Sequence, residues 1–186
     1  MAILTNSMAQ FFNLQALKEF PKALLNKKLR TPKERISSIN DLAISALKKK
    51  GIKALIFDKD NTLTLPYTNE IHPSIRAHLR VLQKEFITAI FSNSIGSSDD
   101  TNNVQAIKSE NELNIKVITH QTKKPNGFRS ITKLTKCKPK EIAFIGDRIY
   151  TDIVFANKHK AYSIKVEPIN TQKDPWYIRL VRRIED

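Results

Sequence analysis

Only one cysteine, Cys137, stands among the 186 residues, which excludes an internal disulfide framework and a cysteine-rich zinc site. Its Lys-Cys-Lys-Pro surroundings read as an exposed helix end, and no role falls to the thiol. Long apolar runs are missing as well: no stretch approaches the roughly 18–20 residues that a membrane-spanning helix needs. Acidic residues are scarce, 18 against 32 Lys and Arg, for a net charge of +14. Residues 1–50 hold ten of the basic residues and three acids, Glu19, Glu34 and Asp41, and so supply about half of the excess. Such a surface favours polyanionic partners, nucleic acid or acidic lipid headgroups, and composition does not choose between them. What remains, 40% hydrophobic and 27% charged residues, is ordinary for a single globular domain with a sizeable core.

The first 17 residues lack a basic residue, unlike an Arg-rich presequence. Phe11, Phe12, Leu14, Leu17, Phe20, Leu24 and Leu25 then recur at helical spacing among Lys18, Lys22, Lys27, Lys28 and Arg30, and Pro21 divides the pattern. Two readings stand for this segment: a helix packed on the domain, or an interfacial helix on an anionic membrane. A second helix is expected over Ile39–Lys50. At the other end, Trp176, Leu180 and Ile184 alternate with Arg179, Arg182 and Arg183 in a basic amphipathic helix. The chain thus divides into a basic helical segment (1–50), a core (51–168) and a basic carboxyl-terminal helix (169–186).

The core is organised around Ala54-Leu-Ile-Phe-Asp58-Lys-Asp60-Asn-Thr62. An apolar run bounded by charge reads as a strand buried on both faces, with its polar cluster at the carboxyl end, where open α/β sheets bind ligands. Two carboxylates aimed at nearly one point call for a cation between them; the plainer reading is a solvated strand end entering a turn. A helix near Pro73 carries Ile75, Leu79, Leu82 and Phe86 inward. The strand Thr88–Phe91 then ends in Ser92-Asn93-Ser94. A helix over 101–113, of modest apolar character around Val104, Ile107 and Leu113, precedes the strand Ile115–Ile118. Lys123-Lys124-Pro125 follows, with Pro125 at the start of a helix carrying Phe128, Ile131 and Leu134. The strand Ile142–Ile145 runs into Gly146-Asp147, with Asp152 early in the next helix, and Ala161–Ile164 is the last strand. Strand and helix alternate, so a mainly parallel sheet flanked by helices gathers Asp58/Asp60/Thr62, Ser92/Asn93, Lys124 and Asp147/Asp152 at one edge. Carboxylates there suit a hard cation, and a hydroxyl with a lysine suits phosphate oxygens.

These clusters resemble the four motifs of the haloacid dehalogenase superfamily of phosphohydrolases: Asp58-x-Asp60-x-Thr62, Ser92, Lys124 and Gly146-Asp147-x-x-x-x-Asp152. The resemblance implies a Rossmann-like α/β fold, a magnesium cofactor and an aspartyl-phosphate intermediate. Asp58 is then the nucleophile and Asp60 the acid and later the base. Mg²⁺ falls to Asp58, the main-chain carbonyl of Asp60, and Asp147, with Asp152 behind them. Thr62, Ser92, Asn93 and Lys124 fall to phosphate, Lys124 rather than Lys123 because the superfamily's lysine usually directly precedes proline. The intervals between motifs, about 30 residues, are filled by the crossovers themselves, so no cap domain and an open site are expected.

More narrowly, Asp58-Lys-Asp-Asn-Thr, Ser92-Asn93, Thr122-Lys-Lys-Pro125 and Gly146-Asp-Arg-Ile-Tyr-Thr-Asp-Ile-Val-Phe-Ala-Asn157 resemble the mitochondrial phosphatidylglycerophosphate phosphatases and their bacterial relatives. That resemblance implies conversion of phosphatidylglycerophosphate to phosphatidylglycerol, on the route to cardiolipin. It also implies an anionic phospholipid surface as partner and a peripheral place on the matrix side of the inner mitochondrial membrane, the alternative being cytoplasmic and membrane-associated. Two other functions stay open: a phosphatase of nucleic acid ends, which the scarcity of aromatics interleaved with Lys/Arg in residues 54–165 disfavours, and a non-catalytic basic membrane or RNA adaptor.

Overall fold

The computed structural model describes residues 26–172 together with Asp174, Arg179 and Arg182. The apolar-basic segment at 11–25 and the Trp176, Leu180, Ile184 side of the last helix lie outside the described residues. Helix α1 (Lys27–Arg30), capped by the Asn26 side chain on the Lys28 N–H, leads to strand β1 (Glu34–Ile36). Helix α2 (Ile44–Lys49) precedes strand β2 (Ala54–Phe57), helix α3 (Pro73–Glu85) and strand β3 (Ile87–Ile90). Helix α4 (Val104–Leu113), strand β4 (Lys116–Val117), helix α5 (Phe128–Thr135) and strand β5 (Ile142–Gly146) come next. A π-helical turn at Ile149–Ile153 runs into helix α6 (Val154–Lys158), and strand β6 (Tyr162–Val166) follows.

The six strands form one all-parallel sheet in the order β1-β6-β5-β2-β3-β4. Side chains alternate across it: Leu55 and Phe57 join one apolar layer with Ile75, Leu79 and Leu82 of α3, while Ala54 and Ile56 join the other with Phe91, Phe144 and Phe155. Phe91 stacks on Phe155 with ring centroids 5.2 Å apart. Covering both faces explains why β2 reads as an unbroken apolar run. Outside the sheet, Asn157 on α6 donates through Nδ2 to the carbonyls of Leu29 and Thr31, both at 2.9 Å, which fastens α1 to the domain. Among the described residues no helix is long and apolar enough to cross a membrane.

Register places the site. Phe57 at the end of β2 is level with Ile90 on one side and Ile145 on the other. The ladder continues one step, with the Asp58 N–H on the Ile145 carbonyl at 2.8 Å and the Phe91 N–H on the Phe57 carbonyl at 2.9 Å. Asp58, Ser92 and Asp147 therefore leave three neighbouring strands at one edge, where the chain has crossed from one side of β2 to the other. The stretch between β2 and β3 holds the loop 58–72 and α3, and that between β3 and Lys124 a 3-10 turn at Thr101–Asn103, α4 and β4, so no cap domain is inserted among the described residues.

Several expectations are corrected. The helix expected over Ile39–Lys50 is a 3-10 turn at Ile39–Asp41 and then α2, because the Asp41 carboxylate takes the N–H groups of Ser37 and Ser38 and Ala43 is extended. Val104 and Ile107 do not face the core: they are 56% and 58% exposed, and Ala106, Ser109 and Leu113 pack inward instead. The Asp100 carboxylate fixes that rotation by accepting the Gln105 and Ala106 N–H groups, and small residues let α4 lie close. Leu134 is likewise outward while Thr135 is buried. Helix α5 starts at Phe128 behind Gly127, not at Pro125. Cys137 is buried in the Phe91 layer rather than exposed at a helix end.

Candidate active site

Asp58 leaves β2 with its side chain 15% exposed, and Lys124 Nζ donates to its Oδ1 at 2.7 Å. The same ammonium, 2% exposed, donates to Asp152 Oδ1 at 2.5 Å. Asp152 is wholly buried in the π-helical turn, where its Oδ2 accepts the Arg148 N–H at 3.0 Å. Close approach of that turn to β5 requires Gly146, since a Cβ there would lie 2.5 Å from the Asp152 side chain. Oxygens of Asp58, Asp147 and Asp152 all lie within 4.8 Å of one another. Three carboxylates face two cations, Lys124 and Arg182, so the donor set fits one further hard cation.

Burial dominates the electrostatics here. It pushes the Asp58 carboxyl up to about 7, against the pull of Lys124 and with added repulsion from Asp152 and Asp147. Asp147 is pushed up to about 6 by burial, with Arg182 opposing and Asp152 reinforcing. Burial works against the Lys124 charge, yet Asp152 and Asp58 outweigh it and hold the ammonium above its ordinary value. In metal-free protein the raised Asp58 value favours its neutral form in the folded state. Its contribution to stability is therefore full below about pH 4 and lost as pH rises through about 7. In EDTA the melting temperature should fall between about pH 5 and about pH 8. Calorimetric scans should show a smaller fall in Asp58→Asn; equal falls would contradict the assigned electrostatics.

The loop after β3 meets the loop after β4 through Asn93, whose Oδ1 accepts the Lys124 N–H at 2.8 Å, and through His120. The His120 ring nitrogens lie 2.8 Å from the carbonyls of Ser92 and Thr122, and its ring stacks on Phe91 at 4.1 Å. Burial lowers its basicity. Ser92 Oγ is 3.0 Å from Ser94 Oγ at the wall of a cavity of about 820 Å³, which Asp58, Asp60, Lys124 and Asp147 also line. Lys123 turns aside to Asp99.

Asp60 lies at the cavity with its Oδ1 accepting from Lys59 Nζ and the Tyr67 N–H, both at 3.1 Å, and its carboxylate is not part of the three-acid cluster. Thr62 departs from expectation. It is 1% exposed, does not line the cavity, and its hydroxyl has no hydrogen-bond partner among the described residues. The turn that returns the Thr62, Leu63 and Thr64 N–H groups to the Lys59 carbonyl draws it beneath the floor, so the phosphate contact expected of it has no support. Asn93, also expected at phosphate, lines the cavity while its Oδ1 accepts the Lys124 N–H.

Arg182 is the larger correction. Expected on an outward basic face, it turns inward with its side chain 13% exposed, donating from Nη2 to Asp147 Oδ2 at 2.5 Å and from Nε to Asp174 Oδ2 at 2.6 Å. Neither Arg182, Asp174 nor His120 was marked by the sequence, because each acts through contacts remote in the chain. Arg179, by contrast, is exposed as expected.

A lysine bridging the strand-end aspartate to a second acid, at the edge of an all-parallel sheet, is the arrangement that the resemblance to the haloacid dehalogenase superfamily implies. The chain belongs to the family described as mitochondrial PGP phosphatase, whose profile matches residues 14–169. It is 37% identical over 155 residues to phosphatidylglycerophosphate phosphatase 1, chloroplastic/mitochondrial, of Arabidopsis thaliana, covering 80% of this chain and 44% of that one. Identity is 34% over 165 residues to phosphatidylglycerophosphate phosphatase 1, chloroplastic, of Chlamydomonas reinhardtii, covering 87% and 61%. It is also 34% over 151 residues to the mitochondrial phosphatidylglycerophosphatase GEP4 of Saccharomyces cerevisiae, covering 77% and 80%. The chain thus spans about half the length of the first two relatives.

Proposed function

We propose that this chain is a Mg²⁺-dependent phosphatase that removes the terminal phosphate of phosphatidylglycerophosphate to leave phosphatidylglycerol, working at an anionic membrane surface in the mitochondrion. The observation that carries the reading is Asp58 at the floor of an open cavity, ion-paired with the buried Lys124 and gathered with Asp147 and Asp152. The names of the relatives supply the lipid substrate and the organelle, and the net charge of +14 supports residence on an anionic leaflet.

The chemistry follows from the residues. An Asp58 oxygen attacks phosphorus in line as the bond to the leaving alkoxide breaks, and Asp60 supplies the proton that makes it an alcohol. Water then attacks the acyl phosphate with its proton passing to Asp60, which releases inorganic phosphate and restores the Asp58 carboxylate and the protonated Asp60. Ser92 is the hydroxyl available to a phosphoryl oxygen, and Lys124 offsets charge on nucleophile and phosphate. Asp58, Asp147 and the Asp60 carbonyl, with Asp152 behind, would hold Mg²⁺, which when bound lowers the charge repulsion between nucleophile and phosphate.

Purified protein with Mg²⁺ should turn over phosphatidylglycerophosphate in vesicles and leave a phosphorylated DNA end and glycerol phosphate largely untouched. Preference for the DNA end would replace the lipid by nucleic acid as substrate, and no turnover of any phosphate ester would defeat the enzymatic reading.

A further inference from the structure

Four residues link the strand end of β2 to the strand end of β5 by way of the chain's last segment. Asn61, between Asp60 and Thr62, adopts a left-handed backbone at φ 61° and is 2% exposed. Its carbonyl and its Oδ1 accept the N–H groups of Ile169 and Asn170, at 3.1 and 3.0 Å, and its Nδ2 donates to Asp174 Oδ1 at 3.1 Å. Asp174, 8% exposed, gives its other oxygen to Arg182 Nε. The Arg182 fork then closes on Asp147, Nη2 on Oδ2 at 2.5 Å and Nη1 on the main-chain carbonyl at 3.5 Å.

This is a chain of oriented groups, each with both ends engaged, and it terminates on a carboxylate of the three-acid cluster. A guanidinium held by one acid and aimed at a second is preorganised, because its planar fork presents donors in a fixed geometry. Carboxylates that ligate metals are commonly held by such outer hydrogen bonds, and loss of the partner typically weakens metal binding about 10- to 100-fold. The opposing effect is electrostatic, since a positive charge near the cluster repels an entering cation. Orientation and competition thus predict opposite signs.

We propose that Arg182, delivered by the carboxyl-terminal segment and oriented by Asp174 and Asn61, is a positioning residue that aligns Asp147 for the metal. The active site is then incomplete without the last segment of the chain, whose basic character is in part internal. The proposal rests on the metal-dependent phosphatase reading above.

Isothermal titration of Mg²⁺ into the full chain, independent of turnover, tests it. Arg182→Ala should bind Mg²⁺ about 10- to 100-fold more weakly than wild type. Arg182→Lys should recover only part of the loss, because an ammonium does not bridge two carboxylates as a fork. Asp174→Asn should weaken binding in the same direction by less. Unchanged or tighter Mg²⁺ binding by Arg182→Ala would overturn the proposal, tighter binding marking Arg182 as a competitor of the cation. Should Arg182→Ala fail to melt cooperatively in EDTA, Arg182→Lys carries the test, and wild-type affinity there overturns it. Mg²⁺ binding by wild type and Arg182→Ala alike defeats this proposal alone. No Mg²⁺ binding by wild type defeats the metal-dependent reading and the proposal with it.

Discussion

Asp58→Asn should lower kcat by about 10⁴-fold or more while the protein folds as before. The amide keeps the shape of the carboxylate but has no anionic oxygen to attack phosphorus. Its neighbour Asp60, whose Oδ1 accepts from Lys59 Nζ and the Tyr67 N–H, serves as the acid and base. Folding should survive because the substitution removes one of three buried acids that crowd each other, and Lys124 keeps its contact with Asp152 at 2.5 Å. Steady-state rates on phosphatidylglycerophosphate and a thermal melt of the same sample check both halves. Activity within tenfold of wild type would remove Asp58 from the mechanism.

Lys124→Met should be costly in two ways. Removing the ammonium leaves Asp58 and Asp152 buried without their shared partner, and breaking a buried ion pair on one side costs about 3–5 kcal/mol. For a domain of this size that corresponds to a melting temperature lower by roughly 10 °C in EDTA. Turnover should fall as well, since the cation that offsets the nucleophile and the phosphate is gone. Adding Asp152→Asn to Lys124→Met should restore part of the stability, because it removes one uncompensated charge, and none of the activity. Loss of stability that the double variant does not relieve would point to the lost cation–π contact with Phe144, over whose ring the ammonium sits at 5.2 Å.

These two residues are legible in the sequence because Asp58 directly follows an apolar run and Lys124 directly precedes a proline. Strands β2 and β5 are buried on both faces, and β3 over Ala89 and Ile90, so they announce themselves, and their polar ends inherit a common edge from the parallel order. Strand β1 was not legible: Glu34–Ile36 offers one fully buried residue, and its pairing with β6 is a contact across some 130 residues of chain. The packed face of α4 is not legible because hydrophobicity alone selects Val104 and Ile107, whereas Asp100 and the small side chains of Ala106 and Ser109 decide which side packs. Thr62 sits in a motif position yet is turned under the floor by hydrogen bonds to the Lys59 carbonyl, which the spacing does not reveal. Arg182 is expected on the same basic face as Arg179, and composition cannot separate an inward arginine from an outward one; the buried partners Asp147 and Asp174 do. Local pattern thus located the strand ends, while long-range ion pairs settled which charges complete the site.

The most direct measurement is to mix enzyme, Mg²⁺ and phosphatidylglycerophosphate, quench in acid within the first turnover, and map phosphorylation by peptide mass spectrometry. A phosphoryl group on Asp58, absent from Asp58→Asn and from samples without substrate, is the predicted result. A phosphoryl group on any other residue, or turnover in which Asp58 never becomes labelled, would contradict the account.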